Sequence, residues 1–234
     1  MSKRLAAALL ALAVTLLVGC ATPPQAPIAL STDYFSPNKS KPGRIGVLML
    51  ELPKADTSFP GAGCLLCLAV AYGNHSTLTK EVQALGTGEL KPLPADLVLL
   101  LKKQGVDAVL LEDNVRFADL PDLATTEPTK TRKNFAALKA KHKVDRLLVV
   151  NVSALGVWRS YSAYVPTDVP KAVLYGDASL IDLNTNVLEW YLPLALSRGA
   201  EGAWDEPPKF PGLSNAYYQV LETGMDMVKR PFIK

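Results

Sequence analysis

Histidine is nearly missing from this chain. His75 and His142 are the only two in 234 residues, and they lie far apart in sequence. That scarcity excludes a histidine-rich metal centre, because zinc needs four protein or solvent ligands. A Ser/His/Asp triad is arithmetically possible, but neither histidine sits in a recognisable catalytic context. Cysteine is scarce too: Cys20, Cys64 and Cys67 are all there are. Charge of one sign is also lacking, with 25 basic against 22 acidic residues. Such a balance gives no argument for nucleic acid or a strongly anionic partner. After residue 19 no apolar run reaches the roughly 20 residues that a bilayer-spanning helix needs.

What is present begins at the N-terminus. Lys3 and Arg4 precede an apolar stretch over residues 5–19, interrupted only by Thr15. That is a charged region followed by the apolar core of a secretory signal. At 1.5 Å per residue the stretch makes about 22 Å of helix, short of the roughly 30 Å bilayer core. Leu17-Val18-Gly19-Cys20 closes it and resembles the lipobox of bacterial lipoproteins. The residue types fit the chemistry. A signal peptidase must admit the backbone before the cysteine, so a small residue precedes it, and the thiol carries diacylglycerol as a thioether. The resemblance implies cleavage after residue 19, lipid on Cys20 and two or more acyl chains, which anchor stably where one chain does not. Ala21 follows the cysteine. Aspartate there retains enterobacterial lipoproteins in the inner membrane, so the expectation is a periplasm-facing anchor in the outer membrane. Removing residues 1–19 leaves 215 residues with 23 basic and 22 acidic, a size that suits one domain.

Residues 20–43 are Pro-rich around Pro23, Pro24, Pro27, Pro37 and Pro42. They read as an extended, semi-rigid tether that lacks regular structure and holds the domain off the membrane. On that reading a chain starting near Pro42 folds alone. Residues 44–52 (RIGVLMLEL), 107–112 (DAVLLE) and 145–153 (DRLLVVNVS) read as buried strands, the last continuing through 155–165. Residues 75–85, 94–105, 133–143 and 213–229 read as helices. The 94–105 helix starts on Pro94 and stops at Gly105, with Lys102 and Lys103 in its last turn, as the helix dipole favours. Residues 172–183 and 187–194 form a hairpin whose turn, Asn184-Thr185-Asn186, tolerates positive φ. The expected fold is α/β: a mixed β-sheet in the order β-α-β-α-β-β-β-α, with helices covering it and a parallel core built by right-handed crossovers. A single domain over 44–234 carries a small-apolar insertion at about 53–91.

That order is similar to the N-terminal domain of TolB and the periplasmic domain of the curli-secretion lipoprotein CsgG. The matching pieces are RIGVLML, PADLVLLLKKQGVDAVLLED, FAALKAKHKVDRLLVVNV and the hairpin ASLIDLNTNVLEW. The match is one of pattern over residues 44–194, and the Cys-bearing 53–91 segment departs from it. The resemblance implies assembly, either docking to envelope partners or self-association, and implies neither catalysis nor a cofactor.

Cys64 and Cys67 form a CxxC inside GAGCLLCLAVAYG. A redox pair would want polar surroundings that lower a thiol pKa, and here the neighbours are Gly, Ala, Leu and Val. A disulfide, or two buried thiols, is the expectation, with no metal. The run itself reads as a core helix, an oligomer contact or a membrane-touching element. The cluster Lys130, Arg132, Lys133, Lys139, Lys141, Lys143 and Arg146 is either a solvated helix face or a site for anionic headgroups, beside an acidic loop around Asp119 and Asp122. Tyr161, Tyr164, Trp190, Tyr191 and Trp204 either line a glycan groove or pack the hairpin. The loop from Trp204 to Pro208 suggests surface recognition only. The sequence thus points to a membrane-anchored, non-enzymatic accessory or assembly module. The alternative is a periplasmic glycan-binding protein or hydrolase using the aromatic second half.

Overall fold

The computed structural model describes residues 25–37 and 42–233. Cys20 and the signal segment lie outside the described residues. The fold is α/β, with parallel and antiparallel pairs in one six-stranded sheet. Five strands run in the order β3 (Ala108–Leu110), β1 (Ile45–Met49), β4 (Arg146–Trp158), β7 (Lys171–Asp182), β8 (Val187–Gly199). The short β2 (Asp56–Ser58) pairs with β4 beyond the end of β1. β1 lies parallel to both β3 and β4, while β4, β7 and β8 form an antiparallel meander.

Local chemistry explains the strands. β1 is buried at four successive positions, as a central strand covered on both faces must be. The β7–β8 turn is fixed by Asp182, whose carboxylate accepts from the Asn184 and Thr185 amides at 2.7 and 3.2 Å. Asn186 takes the left-handed backbone there, φ 61°, a conformation asparagine tolerates.

Two cores flank the sheet. On the first face Val47, Leu148, Leu180 and Trp190 meet α2 (Ser76–Gln83), α3 (Leu93–Lys103) and α5 (Pro211–Lys229). α5 buries Leu213, Ala216, Tyr217, Val220, Leu221, Gly224 and Val228, an apolar stripe at helical spacing. On the second face Leu48, Leu147, Val149 and Ile181 meet Phe135 and Leu138, the latter in α4 (Ala136–His142).

The segment at about 53–91 contributes one short strand to the sheet. β2 is that strand, and its parallel pairing needs Gly156. At φ 139° a Cβ on that glycine would stand 1.8 Å from the Asp56 carbonyl oxygen, so only a residue without a side chain lets the strands meet. The following turn at Gly61 presses equally close to the Tyr161 carbonyl. β4 stops at Trp158, and the chain then makes a small hairpin of β5 (Tyr161–Ser162) and β6 (Val165–Pro166) instead of continuing as one strand.

The reading of the apolar run as a core helix is corrected. α1 (Leu65–Asn74) buries only Cys67 and Ala71, against Phe59, Ala62 and Tyr161. Leu68 and the Tyr72 ring pack on the edge of that cluster, and Leu65 and Leu66 are exposed.

Residues 25–37 also differ from a free tether. Ile28 pairs antiparallel with Tyr191 at the β8 edge, through N–H···O bonds of 2.9 and 3.0 Å. Leu30, Tyr34 and Phe35 pack against the first core, and the Phe35 ring meets Phe232 at 6.3 Å. Prolines do not prevent this, because an edge strand needs only alternate amides.

Candidate functional site

On the second face, α4 covers only the end of the sheet near the β7–β8 turn. Beyond it a cavity of about 130 Å³ opens, close to the 150 Å³ that admits a benzene ring in an engineered core. Leu50, Val149, Phe135 and Leu188 form its apolar walls. Its floor carries Asn151, Asp177, Ser179 and Tyr191, brought together by strand register: Asn151 stands opposite Asp177, and Ser179 opposite Tyr191.

The floor is electrostatically unusual. Asn151 Nδ2 donates to Asp177 Oδ2 at 3.0 Å, yet burial outweighs that bond and pushes the Asp177 carboxyl above the usual range. The Tyr191 hydroxyl is pushed up as well, by burial first and by Asp177 second. Asn151 and Ser179 are buried. Hydrogen-bond acceptors therefore converge on an apolar-walled pocket, the arrangement common to small-molecule sites. On the same face, two residues before Asp177, Tyr175 stacks on Trp158 with centroids 4.7 Å apart and planes 28° apart.

Lys130, Arg132 and Lys133 stand at the cavity rim. Lys130 pairs with Glu127 and Lys133 with Asp122, both at 2.7 Å, while Lys133 also lies over the Phe117 ring. The other members of the basic cluster go elsewhere. Lys141 and His142 both pair with Asp113, and the Lys141 hydrogen bond, followed by His142, holds the Asp113 carboxyl below its usual range. Lys139 Nζ reaches Asn184 at 2.7 Å. Arg146 is mostly buried, bonding Glu189 at 2.7 Å and Asp182 at 3.3 Å, so it belongs to no surface patch.

A second polar centre surrounds His75. Its Nε2 lies 2.8 Å from the Tyr161 hydroxyl and 3.1 Å from Arg159 Nη1. A guanidinium only donates, so Nε2 is the acceptor and the ring is neutral. Burial, then the Arg159 charge, lowers the His75 pKa. Phe59 stacks on the imidazole at 5.3 Å, Trp204 meets its edge at 6.0 Å, and Arg159 lies over Trp204. The cluster clamps the α1–α2 junction, the end of β4 and the loop after β8 to one another.

The five aromatics read as a groove lining are thus dispersed. Tyr161 and Trp204 serve the His75 clamp, Trp190 packs on Phe232 at 5.3 Å, Tyr191 reaches the cavity, and Tyr164 is exposed on the β5–β6 hairpin. Sequence reasoning missed Asn151, Asp177, Ser179, Trp158 and Tyr175. Polar residues at alternate positions of two otherwise apolar strands were the available signal.

Cys64 and Cys67 are joined by a disulfide, and Cys64 Sγ also accepts the Cys67 amide as the N-cap of α1. Among the described residues no group of three or more His, Cys, Asp or Glu side chains is placed to hold a metal ion. No helix among them is long and apolar enough to cross a membrane.

No family profile and no curated protein matches the chain. Solved structures that resemble it at low similarity include the following two. A PelC dodecamer subunit from Paraburkholderia phytofirmans is 10% identical, with 88% of this chain and 94% of that one covered and a TM-score of 0.30. A neuraminyllactose-binding hemagglutinin homolog from Helicobacter pylori is 10% identical over 87% and 91% of the two chains, with a TM-score of 0.40.

Proposed function

We propose that this chain is a lipid-anchored, periplasm-facing accessory module of the bacterial envelope, without catalytic activity of its own, working through contacts with envelope partners. The lipobox-like Leu17-Val18-Gly19-Cys20 supplies the anchor. The observation that carries the reading is the docking of residues 25–37 on β8. Only five steps of chain separate Cys20 from Gln25, which is about 17 Å when fully extended. The domain therefore sits at the bilayer surface, where a scaffold or docking part is useful, and does not swing on a long leash. The titratable groups fit this reading: both histidines are engaged, His75 by Arg159 and Tyr161 and His142 by Asp113. Cys20→Ser is expected to abolish fatty-acid labelling and leave unprocessed precursor, and crosslinking in intact envelopes is expected to trap a partner. Equal label on wild type and variant, or a chain that crosslinks to nothing, overturns the proposal.

A second reading, glycan binding, is favoured by one specific feature. The cavity floor of Asn151, Asp177, Ser179 and Tyr191 shares a sheet face with the Trp158–Tyr175 stack. Acceptors for sugar hydroxyls beside an aromatic surface for pyranose C–H groups suit a saccharide end.

A further inference from the structure

From Thr57 to Thr79 the chain contains no Asp, Glu, Lys or Arg, and His75 within it is neutral. α1 spends Cys67 and Ala71 on packing. Leu65, Leu66, Ala69 and Tyr72 face solvent, at the one-sided spacing of an amphipathic helix whose outer face is apolar as well. Leu65 is 89% and Leu66 64% exposed. The β5–β6 hairpin extends the patch with Tyr164 and Val165, 47% and 64% exposed, and the Tyr164 hydroxyl lies 3.7 Å from Cys64 Sγ. Exposed leucines side by side, with a disulfide clasp at the helix start, form a rigid apolar tip. Such a patch marks a contact surface.

The path of the chain says which surface. β8 runs from Val187 to Gly199, and Ile28 lies antiparallel opposite Tyr191. Traced backward from Ile28, the chain therefore heads toward the Gly199 end. Register carries that level across the sheet: Gly199 stands opposite Lys171, Lys171 opposite Trp158, and Trp158 opposite Ser58. α1 and the β5–β6 hairpin cap this same end. Cys20 precedes Ile28 by eight residues, a reach of about 27 Å. Tyr191 to Gly199 is also eight residues, about the same length of strand. A lipid on Cys20 can therefore reach the level of the apolar tip.

We propose that Leu65, Leu66, Tyr164 and Val165 insert into the lipid leaflet that carries the Cys20 acyl chains. This rests on the lipid-anchor reading, to which it adds a second membrane contact. Ten residues make about 15 Å of helix, too short to span, so α1 lies in the interfacial layer with its leucines among the acyl chains. Tyr164 suits the headgroup level, where tyrosine is enriched. Two contacts at one end of the sheet fix the tilt of the domain, which an acyl anchor alone leaves free.

The test uses residues 20–234 carrying Cys20→Ser, so that vesicle binding is measured without any lipid anchor. Flotation with vesicles of phosphatidylethanolamine and phosphatidylglycerol is expected to carry this protein upward. Leu65→Asp/Leu66→Asp is expected to lower the bound fraction about tenfold or more, and Leu99→Asp, an exposed leucine on α3, to leave it unchanged. A Leu65→Trp probe is expected to be quenched by lipids brominated in the upper acyl chain. Equal flotation of the double variant and its parent, or an unquenched Trp, overturns the proposal. So does a dimer in sedimentation that the double variant dissolves while neither protein floats, since the patch then serves a second copy of the chain. Flotation of the Cys20→Ser chain together with no fatty-acid label on the native Cys20 in cells sinks the anchor reading and leaves the tip proposal standing.

Discussion

The Tyr34 hydroxyl donates to Glu189 Oε2 at 2.6 Å, bridging 155 positions of sequence. Glu189 also accepts from Arg146 Nε at 2.7 Å, and Arg146 Nη1 donates to the Pro42 carbonyl. One guanidinium and one carboxylate thus hold Tyr34 and Pro42 against the sheet. Burial, then the Glu189 bond and charge, pushes the Tyr34 hydroxyl pKa far above its ordinary value. Tyr34→Phe removes one hydrogen bond to a charged acceptor that keeps its Arg146 partner. The expected loss is about 1 kcal/mol by urea denaturation. A chain starting at Pro42 gives up Ile28, Leu30, Tyr34 and Phe35 together, and is expected to melt well below the chain starting at Gln25. This reverses the expectation from composition, and equal melts of the two chains would restore it.

His75 sets a pH dependence. Its pKa is lowered in the folded state, so the unfolded chain binds a proton more readily. Stability is therefore intact above about pH 6.5, the unfolded value, and falls as pH drops below it. For one proton the slope is at most about 1.4 kcal/mol per pH unit. His75→Gln is expected to flatten the profile between pH 5 and 7. A wild-type profile already flat over that interval counts against the neutral, Arg159-facing ring.

Asp177 has the opposite sign. Its folded pKa is raised by burial, so its ionisation costs stability as pH climbs from about 3.9 through the folded value. Asp177→Asn keeps an oxygen for Asn151 and removes the desolvated charge. The expected outcome at pH 7 is a gain of about 1 kcal/mol in chemical denaturation. If the cavity takes a saccharide, the same variant weakens binding in a glycan array while its melt rises. A melt that falls instead shows the charge to be structural.

Cys64 and Cys67 close a loop of two intervening residues, so their disulfide constrains the unfolded chain little. The chain-entropy contribution lies below the roughly 3 kcal/mol of a 15-residue loop. Cys64→Ala/Cys67→Ala also removes the sulfur that caps α1, and is expected to lower the melting temperature by a few degrees at most. Complementation of a deletion strain should survive. A variant that is present and anchored yet inactive gives the pair a redox role.

Much of the sheet was legible because its signals are local. β1, the hairpin of β7 and β8 and helices α3 and α5 follow from apolar periodicity and from turn residues such as Gly105 and Asn186. β2 was hidden, since three residues paired to β4 depend on Gly156, a hundred positions away. The cavity floor was hidden for a related reason: Asn151 and Asp177 meet only through strand register. Residues 25–37 misled through composition, because prolines that suggest a loose leash also suit an edge strand. α1 misled through hydropathy, because a burial scale reports what avoids water and not what it avoids water against.

The Ile28–Tyr191 pair also has a mechanical meaning. Both of its N–H···O bonds lie across the strand axis, while tension applied through Gln25, as the proposed lipid anchor would apply it, runs along that axis. The pair is therefore loaded in shear, and both bonds must yield together, whereas peeling would break them one at a time. Behind it stands the Tyr34–Glu189–Arg146 knot. A pull from the proposed Cys20 anchor would thus be taken up at the edge of β8 before it reached the parallel core, which that edge contact insulates from such a load.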